Sequence, residues 1–307
     1  GGDDGGSGDE SGSAEEAASG SEDIEVDEEP EEEEDLSEEE VIENLQEYWD
    51  DEGDTIGLAY EPVDEDRIQS IEEGELPVCE GFPIPAEQIE DNAFAFGCPE
   101  GNAVVWDPDL FEDFTEEYGE TGPAVVLAHE FGHVVQFQTL VWEDHPSIFK
   151  ENQADCYAGA WVAEQVEDGY GPFSDPGSID RAVAAALEIG DPVGSSPDDQ
   201  FAHGSGFDRV RAFQDGFDQG VDYCYGYLED PPFIDQIPFG SEEDAINQGN
   251  LPFDEVTELV VDDLGDYFGD NVDDFEDPTT RSSSTTRTTS RSCTRRSATA
   301  RWPRSSA

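Results

Sequence analysis

The residues best suited to chemistry are His129, Glu130 and His133, in the run His129-Glu130-Phe131-Gly132-His133. Side chains four positions apart share one face of an α-helix, so this spacing aims two imidazoles at one point and sets a carboxylate beside the first. Two imidazole nitrogens so placed suit Zn2+, and three protein groups on such an ion lower the pKa of its water towards about 7. Glu130 is then the expected general base, taking the water's proton and passing it to a leaving amine. The competing reading is a core helix whose histidines are satisfied by hydrogen bonds.

A catalytic zinc site needs a third protein ligand and one position for solvent. Six residues beyond His133, where a third histidine would follow in one common arrangement, stands Thr139. Further on, Glu151 and Asp155 lie one helical turn apart in Glu151-Asn-Gln-Ala-Asp155-Cys-Tyr-Ala-Gly-Ala-Trp161 and share a face. Glu151 is the expected third ligand. Asp155 is expected behind it, accepting the free N–H of a liganding histidine, which fixes the tautomer and raises ring basicity. A solvated acidic helix start is the alternative, but the segment turns small and apolar directly after Asp155. His203 and Tyr157 are candidate donors to an oxyanion. For His203, a turn residue capping the helix that begins near Phe207 is the preferred alternative, and His145, beside Pro146, reads as a loop residue.

The elements that must position these groups follow from periodicity. The motif lies in an apolar stretch whose start is marked by Thr121-Gly122-Pro123, with proline early in the helix. Helical spacing is expected from about Asp109 to Gln219: a helix leading into the motif, the motif helix, Ile148–Glu167, Ile179–Ile189 and Phe207–Gln219. A short helix is expected at Glu39–Asp50, strands within 55–107 at Thr55–Tyr60 and Ala103–Trp106, and one later helix at Phe253–Phe268. The fold class is therefore α+β, mainly helical, with a short strand- and loop-rich N-terminal part. The expected organisation is an acidic Gly/Ser linker over 1–38, one domain over 39–275, and a basic Ser/Thr/Arg tail over 276–307.

Three blocks together resemble the neutral zinc metallopeptidases. They are Ala128-His-Glu-Phe-Gly-His-Val-Val-Gln136, then Glu-x-Gln-Ala-Asp-Cys-x-Ala-Gly-x-Trp, then His203-Gly-Ser-Gly-Phe-Asp-Arg209 through Gly216 and Gly220 to Cys224. Trp49 and Cys98-Pro-Glu-Gly-Asn-x-Val-Val-Trp-Asp107 match weaker blocks, so the resemblance covers about residues 40 to 225. The chain is more distantly similar to the gluzincins. The resemblance implies a zincin-like metallopeptidase with His129, His133 and Glu151 as ligands of one Zn2+ per chain, Glu130 as catalytic base and Asp155 as the residue behind the histidine.

Charge sets the environment. The chain carries 80 acidic and 12 basic side chains, and seven of the basic ones fall in the last 27 residues, leaving 80 against 5 in residues 1–280. Such self-repulsion opposes compaction in dilute buffer and is screened in molar salt, where the Debye length is about 3 Å. A halophilic protein is expected, from a halophilic archaeon. Phosphate repulsion excludes nucleic acid as a partner. The tail from Thr279 has no Asp or Glu and reads as a frameshifted segment in preference to a basic tail folding back on the acidic body.

Of the five cysteines, Cys293 lies in that tail, and Cys79, Cys98, Cys156 and Cys224 remain. The pairings Cys79–Cys98 and Cys156–Cys224 are expected, four buried thiols being the alternative. Disulfides suit an exported protein. The chain has no methionine and opens on a Gly/Asp/Ser-rich acidic spacer resembling the start of processed haloarchaeal lipoproteins, so an extracytoplasmic protein is expected, secreted or tethered to the membrane through a removed N-terminal segment.

These readings converge on a zinc-dependent peptidase acting on peptides or unfolded protein. The alternatives are a non-catalytic, zinc-stabilised binding or chaperone-like surface protein and an acidic cation-buffering surface protein.

Overall fold

The computed structural model describes residues 37–139 and 145–272. The expectations for residues 1–36 and 273–307, Cys293 included, lie outside the described residues. The fold is α+β and mainly helical.

Helix α1 (Glu38–Glu52) starts at a capping box in which Ser37 Oγ accepts from the Glu40 amide and the Glu40 carboxylate accepts from the Ser37 amide. Its buried face is Val41, Leu45, Tyr48 and Trp49, at helical spacing. The strand expected at Thr55–Tyr60 does not form. The chain leaves α1 through a tight 3-10 turn, Gly53–Ile56, that ends on Gly57 with φ +73°. The Leu58 amide donates to Gly53 O at 2.9 Å, which folds the segment back locally and leaves it no partner strand.

Five short strands follow: β1 (Ile68–Ser70), β2 (Val78–Cys79), β3 (Phe82–Pro83), β4 (Ala93–Phe96) and β5 (Ala103–Trp106). The β5 strand, Ala-Val-Val-Trp, is buried along its whole length and runs centrally, parallel to β1 and antiparallel to β4. Strand β4 is therefore an edge. Strands β2 and β3 make a separate hairpin, tied by the Cys79–Cys98 disulfide to the loop after β4. The buried Arg67 fork donates to the carbonyls of Val78, Gly101 and Asn102 and holds the same loops from the other side.

The helical part comprises α2 (Pro108–Tyr118), α3 (Thr121–Gln138), α4 (Ser147–Asp168), α5 (Ser178–Glu188), α6 (Gly206–Gln219) and α7 (Val221–Gly226). Helix α3 is mostly apolar and buried over sixteen of its residues, as expected for an element enclosed on every side. Two unusually close helix contacts depend on glycine. A Cβ on Gly132 of α3 would lie 2.9 Å from Ala154 Cα on α4. On the opposite side of α4, a Cβ on Gly159 would meet Phe213 O at 1.9 Å, and one on Gly216 of α6 would meet Cys156 O at 1.7 Å. These glycines let backbone approach backbone, and the Cys156–Cys224 disulfide joins α4 to α7.

The residues just described belong to one compact unit, which runs to Asp191 and resumes over Pro197–Gln236. A second unit comprises Pro192–Ser196 and the residues from Ile237 onward. Within it, Gly194 bridges Pro238, and helices α8 (Glu242–Ile246) and α9 (Phe253–Asn271) follow. Among the described residues, no helix is long and apolar enough to cross a membrane.

Candidate metal centre

Helix α3 carries His129, Glu130 and His133, and α4 carries Glu151 and Asp155; all five side chains are buried. Their convergence follows from Gly132. Lying between the two histidines, it lets Ala154, which lies between Glu151 and Asp155, come into backbone contact, so both acidic residues reach the imidazoles. His129 Nε2 lies 3.1 Å from Glu151 Oε2, and His133 Nε2 lies 3.4 Å from Glu151 Oε1. The two Nε2 atoms are 3.1 Å apart, with the rings perpendicular. One donor atom from each of His129, His133 and Glu151 falls within 4.8 Å of the others, the one such cluster of three or more among the described residues.

The remaining ring nitrogens set the tautomers. Asp155 Oδ1 accepts from His129 Nδ1 at 2.8 Å, and Gln136 Oε1 accepts from His133 Nδ1 at 2.9 Å. A neutral ring so held keeps its proton on Nδ1 and presents the Nε2 lone pair. Two such lone pairs facing each other and a carboxylate repel unless positive charge stands between them.

The electrostatics of these groups express the same demand. Burial opposes charge on His129, yet Asp155 and then Glu151 outweigh it and lift the ring to about 10. Burial also opposes charge on His133, and Glu151 raises it. Burial works against the Glu151 carboxylate too, but the two imidazoles hold it well below the usual range.

The buried ionisable set of this cluster fits a divalent cation. With both imidazoles neutral, as metal ligation requires, and all three carboxyls ionised, Glu130, Glu151 and Asp155 are countered by one buried guanidinium, that of Arg209, so two negative charges are left for a 2+ ion to neutralise. Two imidazole nitrogens and a carboxylate oxygen are donors typical of zinc, and three of them leave a coordination position for solvent or substrate.

Glu130 lies beside this cluster. Its Oε2 accepts from the Ala95 amide at 2.6 Å, an N–H that edge strand β4 has not paired with β5. Burial raises the Glu130 carboxyl above its ordinary value, against the pull of the histidines. Such a shift towards neutrality suits a group that must both take and return a proton.

The other candidates make contacts outside this cluster of donors. Asp191 holds His203, accepting from its backbone amide at 3.0 Å and its Nδ1 at 3.3 Å. His203 does not cap α6; Ser205 does, its hydroxyl accepting from the Asp208 amide in a capping box. The serine wins because it sits at the residue before the first helical turn, with an acidic residue three positions on to complete the box. Tyr157 is buried in the core, edge-on to Trp49 with ring centroids 5.2 Å apart. His145 stacks on Phe149 in the turn before α4, and Thr139 caps the end of α3, its hydroxyl donating to Val135 O.

Several site residues had no role from spacing alone. Gln136 Nε2 donates to Lys150 O and Gln153 Oε1, and Gln153 Nε2 donates to Cys224 O, a relay from the His133 ring to the disulfide. Gln136 sits three residues after His133, so helical periodicity is the signal that could have found it. Arg209 reaches Asp155 from α6. Its signal is scarcity, since residues 1–280 hold only five basic side chains.

Residues 88–225 match the model of the family described as "Putative neutral zinc metallopeptidase", a span that contains the whole cluster. The uncharacterized protein YpfJ of Escherichia coli K12 is 30% identical over 148 residues, 41% of this chain and 50% of that protein. The uncharacterized protein Rv2575 of Mycobacterium tuberculosis H37Rv is 30% identical over 152 residues, 41% of this chain and 52% of that protein. The chain thus spans about half the length of the curated relatives it matches. No solved structure matches it, and the likeness it carries is to the zinc metallopeptidase family through the stretch that builds this centre.

Proposed function

We propose that this chain is a zinc-dependent peptidase that hydrolyses peptide bonds in peptides or unfolded protein. The observation that carries the reading is the convergence of His129 Nε2, His133 Nε2 and the Glu151 carboxylate, with the Glu130 carboxylate beside them. His129, His133 and Glu151 are the ligands in this reading, holding one Zn2+. When bound, zinc supplies a Lewis acid that acidifies water and draws off charge from the substrate carbonyl oxygen.

The protein's own groups do the rest. The Ala95 amide fixes one oxygen of Glu130 and leaves the other to remove a proton from water and deliver it to the departing amine. Asp155 and Gln136 hold the imidazoles in the tautomer that offers Nε2. His203, oriented by Asp191 and partly exposed, is the side chain assigned to the oxyanion in this reading. Two disulfides suit an oxidising compartment, and in this reading the enzyme works outside the cytoplasm.

The test is metal analysis of protein dialysed in molar KCl, followed by cleavage of casein by wild type and by Glu130→Gln. One zinc per chain in both, with cleavage only by wild type, is the expected result. Equal inertness of the two across several unfolded substrates would replace this reading with a non-catalytic zinc-stapled binding protein.

A further inference from the structure

Behind the metal cluster lies a charged group that no part of the hydrolysis uses. Arg209 is among the largest fully buried side chains of the described residues, with 2% of its surface exposed. Its Nε donates to Asp155 Oδ2 at 2.9 Å and its Nη2 to Asp155 Oδ1 at 2.7 Å, a two-pronged grip. Its Nη1 donates to Ile189 O at 2.8 Å, which fixes the third side of the guanidinium. Asp155 Oδ1, the atom that Arg209 Nη2 holds, is also the atom that accepts from His129 Nδ1.

A buried ion pair is weak evidence of a stabilising role, because the cost of dehydrating both charges offsets their attraction. What it does supply is a fixed orientation. A carboxylate bonded only to an imidazole can rotate about its terminal torsion and swing the ring with it. Gripped on both oxygens by a planar fork, it cannot. The backbone is arranged to deliver that fork: Arg209, Phe213 and Gly216 lie along one face of α6, and the glycine contacts at Gly216 and Gly159 bring this face onto α4 at backbone distance.

We propose that Arg209 is a positioning residue of the metal centre, acting through Asp155 on the His129 ring; the proposal rests on the zinc reading given above. Its effect is on how tightly the centre holds its ion. Groups behind a liganding histidine change metal affinity by about 10- to 100-fold when removed. Arg209 Nη2 also lies 3.3 Å from His129 Nδ1, but with the ring proton on Nδ1 both atoms are donors, so Arg209 holds the ring through the shared Asp155 Oδ1 and about tenfold is expected.

The experiment is a double-variant cycle read as the zinc dissociation constant, by chelator competition in molar KCl on protein shown by circular dichroism to be folded. The variants are Arg209→Met, Asp155→Asn and the pair. Wild type binding zinc tightly upholds the underlying reading independently of the cycle. Arg209→Met is expected to weaken zinc about tenfold with Asp155 present and less than about twofold in the Asp155→Asn background. Unchanged affinity in Arg209→Met, or the same loss in both backgrounds, overturns the proposal and leaves Arg209 as a tie between α4 and α6. Should Arg209→Met not fold, the cycle is run with Arg209→Lys, which keeps the charge and stem but lacks the planar fork; the same two outcomes decide it.

Discussion

Replacing Gly216 with alanine sets two opposing effects against each other, and the structure says which prevails. Alanine in a helix interior is favoured over glycine by about 0.8–1 kcal/mol. Against that gain, the added Cβ would stand 1.7 Å from Cys156 O, 2.7 Å from its carbonyl carbon and 2.9 Å from Ala160 N. Ordinary contact begins at 3.4 Å, so α6 must retreat by roughly 1.7 Å. No side-chain rotation relieves the clash, because the obstructing atoms are backbone. Overpacking costs typically about 1–3 kcal/mol even where neighbours can give, so the upper part of that range applies and the net loss is about 2 kcal/mol. For a protein of this size that lowers Tm by about 4–8 °C. The same retreat, taken along the Arg209–Asp155 bonds of 2.7 and 2.9 Å, carries them past hydrogen-bonding reach, so zinc affinity should fall about tenfold as well. The assays are thermal melts and chelator competition in molar KCl. Gly226→Ala, where nothing lies within 4 Å of the new Cβ, is the control and should melt at or slightly above wild type. A Gly216→Ala protein that melts no lower than wild type and holds zinc as tightly would refute the close α4–α6 contact and the reasoning built on it.

Two further outcomes follow from covalent and long-range forces. Cys156 and Cys224, 68 residues apart in sequence, are bonded; replacing both with alanine should cost about 4 kcal/mol by the loss of a cross-link of that length, and a mass spectrum of the unreduced wild type showing free thiols at these positions would contradict it. The charge excess of residues 1–280 should make Tm climb steeply with KCl as the Debye length falls from about 30 Å at 0.01 M to about 3 Å at 1 M; a Tm independent of salt would show that the acidic side chains do not strain the fold.

Much of the site is legible in the sequence. Two histidines four residues apart, and Glu151 and Asp155 at the same spacing, carry their own geometry, because helical periodicity is a property of a single continuous segment. The helices themselves were readable for the same reason: α1, α5 and α6 lie within a residue or two of their apolar periodicities, and β5 is the expected Ala103–Trp106 strand. The Thr55–Tyr60 strand failed because a strand needs a partner, and alternation within six residues does not say whether one will be present.

What the sequence alone determined, then, is the set of groups that local periodicity presents on one face: the donors of the metal cluster and the base beside them. Only the tertiary structure decided what holds them. The Ala95 amide comes to Glu130 from 35 residues away, Arg209 to Asp155 from 54, and Cys224 O to Gln153 from 71. Such contacts depend on how closely helices cross, and that distance is set at Gly132, Gly159 and Gly216, residues whose role consists in having no side chain to read.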